Sequence, residues 1–240
     1  MMTSEFEYHN GLDGSPGAPS EPTLVEDVLL LLFQPSSGTI AGETTLFYVL
    51  GGAVIADLAL AGRVEARESG RFSITLHALG EDPPNDEHLR SAWEYMAEKP
   101  RNAQSVLASI GPVLRAPILD RLVARGDLIS RATKTFGIFN STSLSVGSER
   151  RAALLDSVRA TLLGGEDPNP RTAAAISLLS ASGTLSHFHP EIPWSGDVYT
   201  RGKQIQMGNW GANAAGSAVT RTMTAITVNP LIAATVLRPD

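Results

Sequence analysis

The stretch "LFYVLGGAVIADLAL" at residues 46–60 limits what this chain can fold into more than any other. It belongs to a helix predicted from about residue 43 to 60, and its apolar positions wrap nearly all the way round. A helix with no polar face has nothing to turn toward water, so other elements must enclose it. Its longest apolar run, residues 46–56, stops at Asp57 and is too short to span a bilayer. The chain is therefore expected to build a soluble domain around one central helix.

The elements needed for that are present. "TLVEDVLLLLF" offers Thr23 as an N-cap with Glu26 three residues later, a capping box ahead of an apolar run. Further helices are predicted over 86–99, 103–110, 149–163, 171–182 and about 197–207, with a small-residue helix over 210–226. Asn169-Pro170 reads as an N-cap followed by proline at the first helical position. Residues 1–20, rich in Gly, Ser, Pro and acid, read as a disordered arm. Residues 21–227 form the expected domain, and residues 228–240, "VNPLIAATVLRPD", are an apolar tail. That tail is expected to pack on its own domain, on a partner chain or on a membrane.

One local pattern occurs twice. "LALAGRVEAR" at 58–67 and "LVARGDLISR" at 122–131 align Leu58, Gly62, Val64 and Arg67 with Leu122, Gly126, Leu128 and Arg131. Each glycine can take the left-handed conformation that closes a helix, and strand-like runs follow it. In the first copy these are "RVEAR" and "RFSITL" around "ESG"; in the second, "DLISR" and "TFGIF" around "ATK". "LLSASGTLSHF" keeps Leu179, Gly183 and Leu185 as a weaker third echo. The unit reads either as a common local solution or as a winged-helix pair, which would point to DNA.

Composition narrows the function. Net charge is −6 and the pI about 5.4, a balance that argues against broad nucleic-acid binding. There are no cysteines, so thiol catalysis, disulfides and cysteine metal sites are excluded. No secretory leader is recognisable at the N-terminus, which fits a cytoplasmic protein. No phosphate-binding loop, dinucleotide fingerprint, nucleophile elbow or zinc-protease motif occurs. His187 and His189 in "HFHP" would share one face of a strand, yet they lack a third ligand at a telling spacing and read as structural or surface histidines. Asp57 and Asp120 fall in helical segments and are expected to pair with arginine or backbone. No enzyme activity, metal or cofactor is expected.

The arginines are more informative. Arg63, Arg67 and Arg71 bracket the first hairpin; Arg115, Arg121, Arg125 and Arg131 surround the second unit, with Lys134 in its expected turn. In "RAPILDRL", Pro117 fits the first helical position, with Ala116 as cap and Arg115 just outside. Backbone N–H groups, the positive helix end and a guanidinium would then converge on a phosphate or acidic head group. The competing reading of each arginine is a solvated or salt-bridged side chain.

The succession "TLVEDVLLLLF", "GGAVIADLALAGRVE", "ILDRLVARGDL", "RTAAAISLLSASGTL" resembles the Golgi phosphoprotein 3 family over roughly residues 22–207, most specifically in "IADLALAGRVE". The resemblance implies a mainly α domain with a buried central helix and peripheral β-hairpins. It also implies a non-enzymatic peripheral membrane adaptor that binds phosphatidylinositol 4-phosphate and the cytoplasmic tails of glycosyltransferases. The family's head-group tryptophan and early-helix arginine fall here on Gly42 and Gly51, and its arginine pair on Pro112 and Arg115, so Arg115 alone is kept. Arg121 and Arg125 come from helix position and not from the family motif. Phe136, Ile138 and Phe139 stand where the family's apolar hairpin reaches the bilayer; the competing reading turns alternate residues to the core. The expected partners are an acidic phospholipid surface and a protein cargo or a second copy. The main alternative, a winged-helix DNA-binding regulator, would rely on "PILDRLVARG" as its recognition helix, and the third reading is an oligomerising module.

Overall fold

The computed structural model describes residues 21–69, 74–135, 139–209 and 217–227; the expected arm 1–20 and tail 228–240 lie outside the described residues. In chain order the helices are α1 (Leu24–Leu32), α2 (Leu46–Leu60), α3 (Glu87–Ala97), α4 (Ala103–Ile110), α5 (Arg115–Ala124), α6 (Arg150–Leu163), α7 (Pro170–Ala181), α8 (Gly196–Gln206) and α9 (Ser217–Thr227). The strands are β1 (Phe33–Gln34), β2 (Thr39–Ile40), β3 (Val64–Glu68), β4 (Ile74–Ala78), β5 (Arg101–Asn102), β6 (Leu128–Thr135) and β7 (Phe139–Val146). They form three small antiparallel sheets, β1-β2, β3-β4-β5 and β6-β7. The fold is mainly α with peripheral hairpins.

α2 is the axis, as its composition demands. Its side chains are buried at Leu46 and from Val49 to Ala59, and α1, α3, α4, α7, α9 and β3 pack around it. It starts three residues later than expected, because Gly42 takes a positive φ of 70° and Thr45 bonds back to the Gly42 carbonyl through both N–H and hydroxyl. α1 is buried along its whole length, including Glu26 and Asp27. The capping box forms: Glu26 Oε2 accepts the Thr23 N–H at 2.8 Å and its hydroxyl at 2.7 Å.

The repeat is real in two of its three places. Gly62 and Gly126 have φ of 66° and 77° and close α2 and α5 ahead of the β3-β4 and β6-β7 hairpins. The second hairpin corrects the expected turn. β6 runs straight through "ATK", and Thr135 pairs with Phe139, leaving residues 136–138 as the connection. At the third echo Gly183 also has a positive φ, 75°, but a 3-10 helix, Thr184–Phe188, follows in place of a hairpin. There the Ser182 and Thr184 hydroxyls both donate to the Leu179 carbonyl, which folds the chain back on α7 and buries Leu185 and Phe188. His187 and His189 therefore do not share a strand face. One is in that 3-10 helix, the other ends it, and both are exposed.

Candidate functional site

The acids of α1 organise the polar interior. Glu26, fully buried, accepts from Arg125 Nε at 2.5 Å, with Arg121 Nη1 at 3.9 Å. Asp27 is bound by Arg150 and, at 2.6 Å, by Arg171 Nε. Arg150 also holds buried Asp127, whose other oxygen accepts the Ser148 hydroxyl at 2.6 Å. Arg171 spans Asp27, Asp57 at 3.4 Å and the Pro22 carbonyl at 2.7 Å. Asp57 accepts the Leu24 N–H at 2.6 Å. Burial pushes the Asp57 carboxyl up to about 7, against the pull of Arg171 and the Leu24 N–H. Asp57 and Asp27 thus share one guanidinium that fastens α1, α2 and α7 together.

This places two of the predicted arginines. Arg121 donates to Asp86 at 2.5 Å and Glu87 at 3.1 Å. Burial works to raise Asp86, yet the Leu89 and His88 N–H bonds of the α3 N-cap, with Arg121, hold its carboxyl below the usual range. A space of about 850 Å³ opens beside Arg121 and Arg125, but its wall also carries Glu21, Asp86 and Glu87. Carboxylates already occupy these two cations, which join elements far apart in sequence.

Arg115 sits differently. α4 ends at Ile110, residues Gly111–Val113 form one 3-10 turn, and α5 begins at Arg115 after Leu114. The helix thus starts earlier than expected: Arg115 is its first residue and not the residue outside it, because the 3-10 turn feeds directly into α5. Pro117 still lies in the first turn, where a missing N–H costs no helical bond. The turn is pressed on the start of α2, for a Cβ at Gly111 would lie 2.1 Å from the Phe47 carbonyl oxygen. That close approach leaves a groove of about 290 Å³ between Leu46, Phe47 and Leu50 on one side and Pro112 on the other, with Glu43 and Arg115 at its rim. The Arg115 guanidinium donates to Glu43 from Nη2 at 2.8 Å and from Nε at 3.2 Å, and the side chains are 49% and 51% exposed.

A pair this exposed contributes about 0–1 kcal/mol. No acid lies in the first turn of α5, so the cation at the positive end of the helix is balanced by Glu43 from another element. The groove therefore has apolar walls and an anion-accepting edge whose present occupant is weakly held.

The profile of the Golgi phosphoprotein 3 (GPP34) family matches residues 24–222. The chain belongs to that family. A direct comparison with curated proteins returns no match. The family is one of non-catalytic adaptors. In this Golgi phosphoprotein 3 family member, two of the four positions singled out by the family motif line the groove, and the other two are sequence neighbours of residues that do. Pro112 and Arg115 line it, Gly42 immediately precedes Glu43, and Gly51 follows Leu50 and packs toward Leu107 and Gly111.

Phe136 and Ile138 lie outside the described residues, and Phe139 begins β7. Among the described residues no helix is long and apolar enough to cross a membrane. Sequence reasoning missed Glu43, which was only a helix boundary, and Asp27. Two adjacent acids inside an otherwise apolar helix were the available signal, since buried carboxylates need cations.

Proposed function

We propose that this chain is a non-enzymatic peripheral adaptor that docks reversibly on acidic phospholipid surfaces, with the Glu43–Arg115 groove as its head-group contact. The observation that supports this reading is the contrast among the arginines. Arg121 and Arg125 are less than one fifth exposed and committed to carboxylates, whereas Arg115 is half exposed and held by one exchangeable partner beside an apolar groove. A head-group phosphate replaces the Glu43 carboxylate at the start of α5, where a helix N-terminus favours an anion, and the glycerol and upper acyl carbons meet Leu46, Phe47 and Pro112. Phe136, Ile138 and Phe139 add apolar contact at the hairpin. A protein cargo then completes the adaptor role. Phosphatidylinositol 4-phosphate is the finer form of the proposal; with one arginine in place of the family's set, preference for it over phosphatidylserine is expected to be small.

Liposome co-sedimentation tests this. Neutral vesicles, phosphatidylserine vesicles and vesicles carrying phosphatidylinositol 4-phosphate are compared with the wild type and Arg115→Ala. Binding to anionic vesicles that falls about fivefold in the variant, the effect of removing one basic contact worth about 1 kcal/mol, supports the proposal. Binding to no vesicle, or equal binding by both proteins, overturns it.

A further inference from the structure

Three of the large apolar side chains that the described residues expose stand together along α8. Tyr199 and Met207, 51% and 61% exposed, lie on one helical face eight residues apart, with Lys203 between them. Trp194, 42% exposed, meets the Tyr199 ring edge-on at 6.2 Å. Lys203 Nζ lies 5.8 Å from the same ring and donates to Gln206 Oε1 at 2.9 Å. An aromatic pair, a lysine stem and a methionine in one line make an apolar stripe that the described residues leave uncovered.

The end of the fold is anchored at this stripe. Gln206 Nε2 donates to the carbonyl of Thr227, the last residue of α9, at 2.9 Å. The chain therefore leaves α9 beside Met207 and continues for thirteen residues, 228–240, that include Leu231, Ile232, Val236 and Leu237. We infer that this C-terminal segment folds back along α8 and covers the Met207–Tyr199–Trp194 stripe of its own chain. The reach is sufficient. The stripe is about 20 Å long at helical rise, and thirteen residues span about 20 Å as a helix or about 43 Å extended. Ile232 and Val236, four apart, share a face in either conformation, so the segment can present both to the rings. The exit point and the length favour its own tail over a foreign chain, which would lose translational freedom on binding.

The chain contains no cysteine, so one introduced thiol reports on one place. Met207→Cys in the full-length chain leaves the Trp194–Tyr199 pair intact, and its rate of maleimide labelling measures access to the stripe. That rate is compared with the same reporter in a full-length chain also carrying Ile232→Asp and Val236→Asp. Val113→Cys, at a side chain 70% exposed elsewhere on the fold, controls for reagent and folding. Labelling at Met207→Cys about tenfold faster in the aspartate background, with Val113→Cys unchanged, is the expected result; tenfold corresponds to about 1.4 kcal/mol of docking. Equal rates in the two backgrounds overturn the inference. So does protection that disappears on dilution, which assigns the segment to a second copy, or protection that appears only with neutral phosphatidylcholine vesicles, which assigns the stripe to lipid.

Discussion

Asp57 shows at the scale of a residue what the central helix demands of its one charge. Its carboxyl is buried among apolar helices, between the Leu24 N–H and a guanidinium it shares with Asp27. Its pKa in the fold is about 7 against an ordinary 3.8, so the folded chain holds that proton more tightly than the unfolded chain. The stability contributed by this proton is full below about pH 4 and lost as pH rises through about 7. Asp57→Asn removes the titration and keeps an oxygen for Leu24. Denaturant-derived stabilities taken against pH should therefore show the wild type losing about 4 kcal/mol relative to Asp57→Asn between pH 4 and pH 8; parallel curves would mean that Asp57 does not titrate there. Arg150→Ala should cost about 3 kcal/mol near neutral pH, since it takes the guanidinium from buried Asp127 and leaves Asp27 to Arg171. That Asp57 pairs with an arginine and a backbone group was legible in the sequence; which ones was not. The capping box was, because Thr23 and Glu26 are three residues apart. The cations for Asp27, at 150 and 171, arrive only through the packing of α6 and α7 on α1, which no local spacing encodes.

At the scale of elements, the repeated helix–glycine–hairpin unit is a chain-reversal device used twice. Gly62 and Gly126 have similar positive φ, and a Cβ at either would meet nothing. Alanine at each should cost the same, about 1 kcal/mol, as backbone strain alone, and equal decreases in thermal midpoint would check it. Gly111→Ala is a different experiment, because its Cβ would strike the Phe47 carbonyl. Pushing the 3-10 turn off α2 should cost about 2–3 kcal/mol and reshape the groove, so calorimetry and vesicle binding should both change. The glycines of the repeat were readable because positive φ leaves a residue-type signature. The β6-β7 turn was misplaced because Ala132, Thr133 and Lys134 carry no such demand, and the eight-residue register of the ladder decided it. The third echo failed for a related reason: the hydroxyls of Ser182 and Thr184 competed for the end of α7.

For the whole molecule, the mainly α architecture follows from one helix without a polar face and the need to enclose it, and the family match spans that helix and those around it. The groove was only half visible. Arg115 could be singled out from Pro117 and the family motif, but Glu43 lies 72 residues away and joins it only in three dimensions. The repeat's resemblance to a wing did not carry a recognition surface with it, because Arg121 and Arg125 of α5 are bonded to Asp86, Glu87 and Glu26. With a net charge of −6, attraction to an anionic surface must come from local groups and not from the body. That makes Glu43→Gln the decisive partner to Arg115→Ala, since it frees the guanidinium without removing it. Co-sedimentation of both variants with the same phosphatidylserine vesicles is the most direct measurement. Tighter binding by Glu43→Gln and weaker binding by Arg115→Ala, each by about fivefold and both fading at high salt, is the predicted result. Glu43→Gln binding no better than wild type while Arg115→Ala binds as well would contradict a head-group site at this groove.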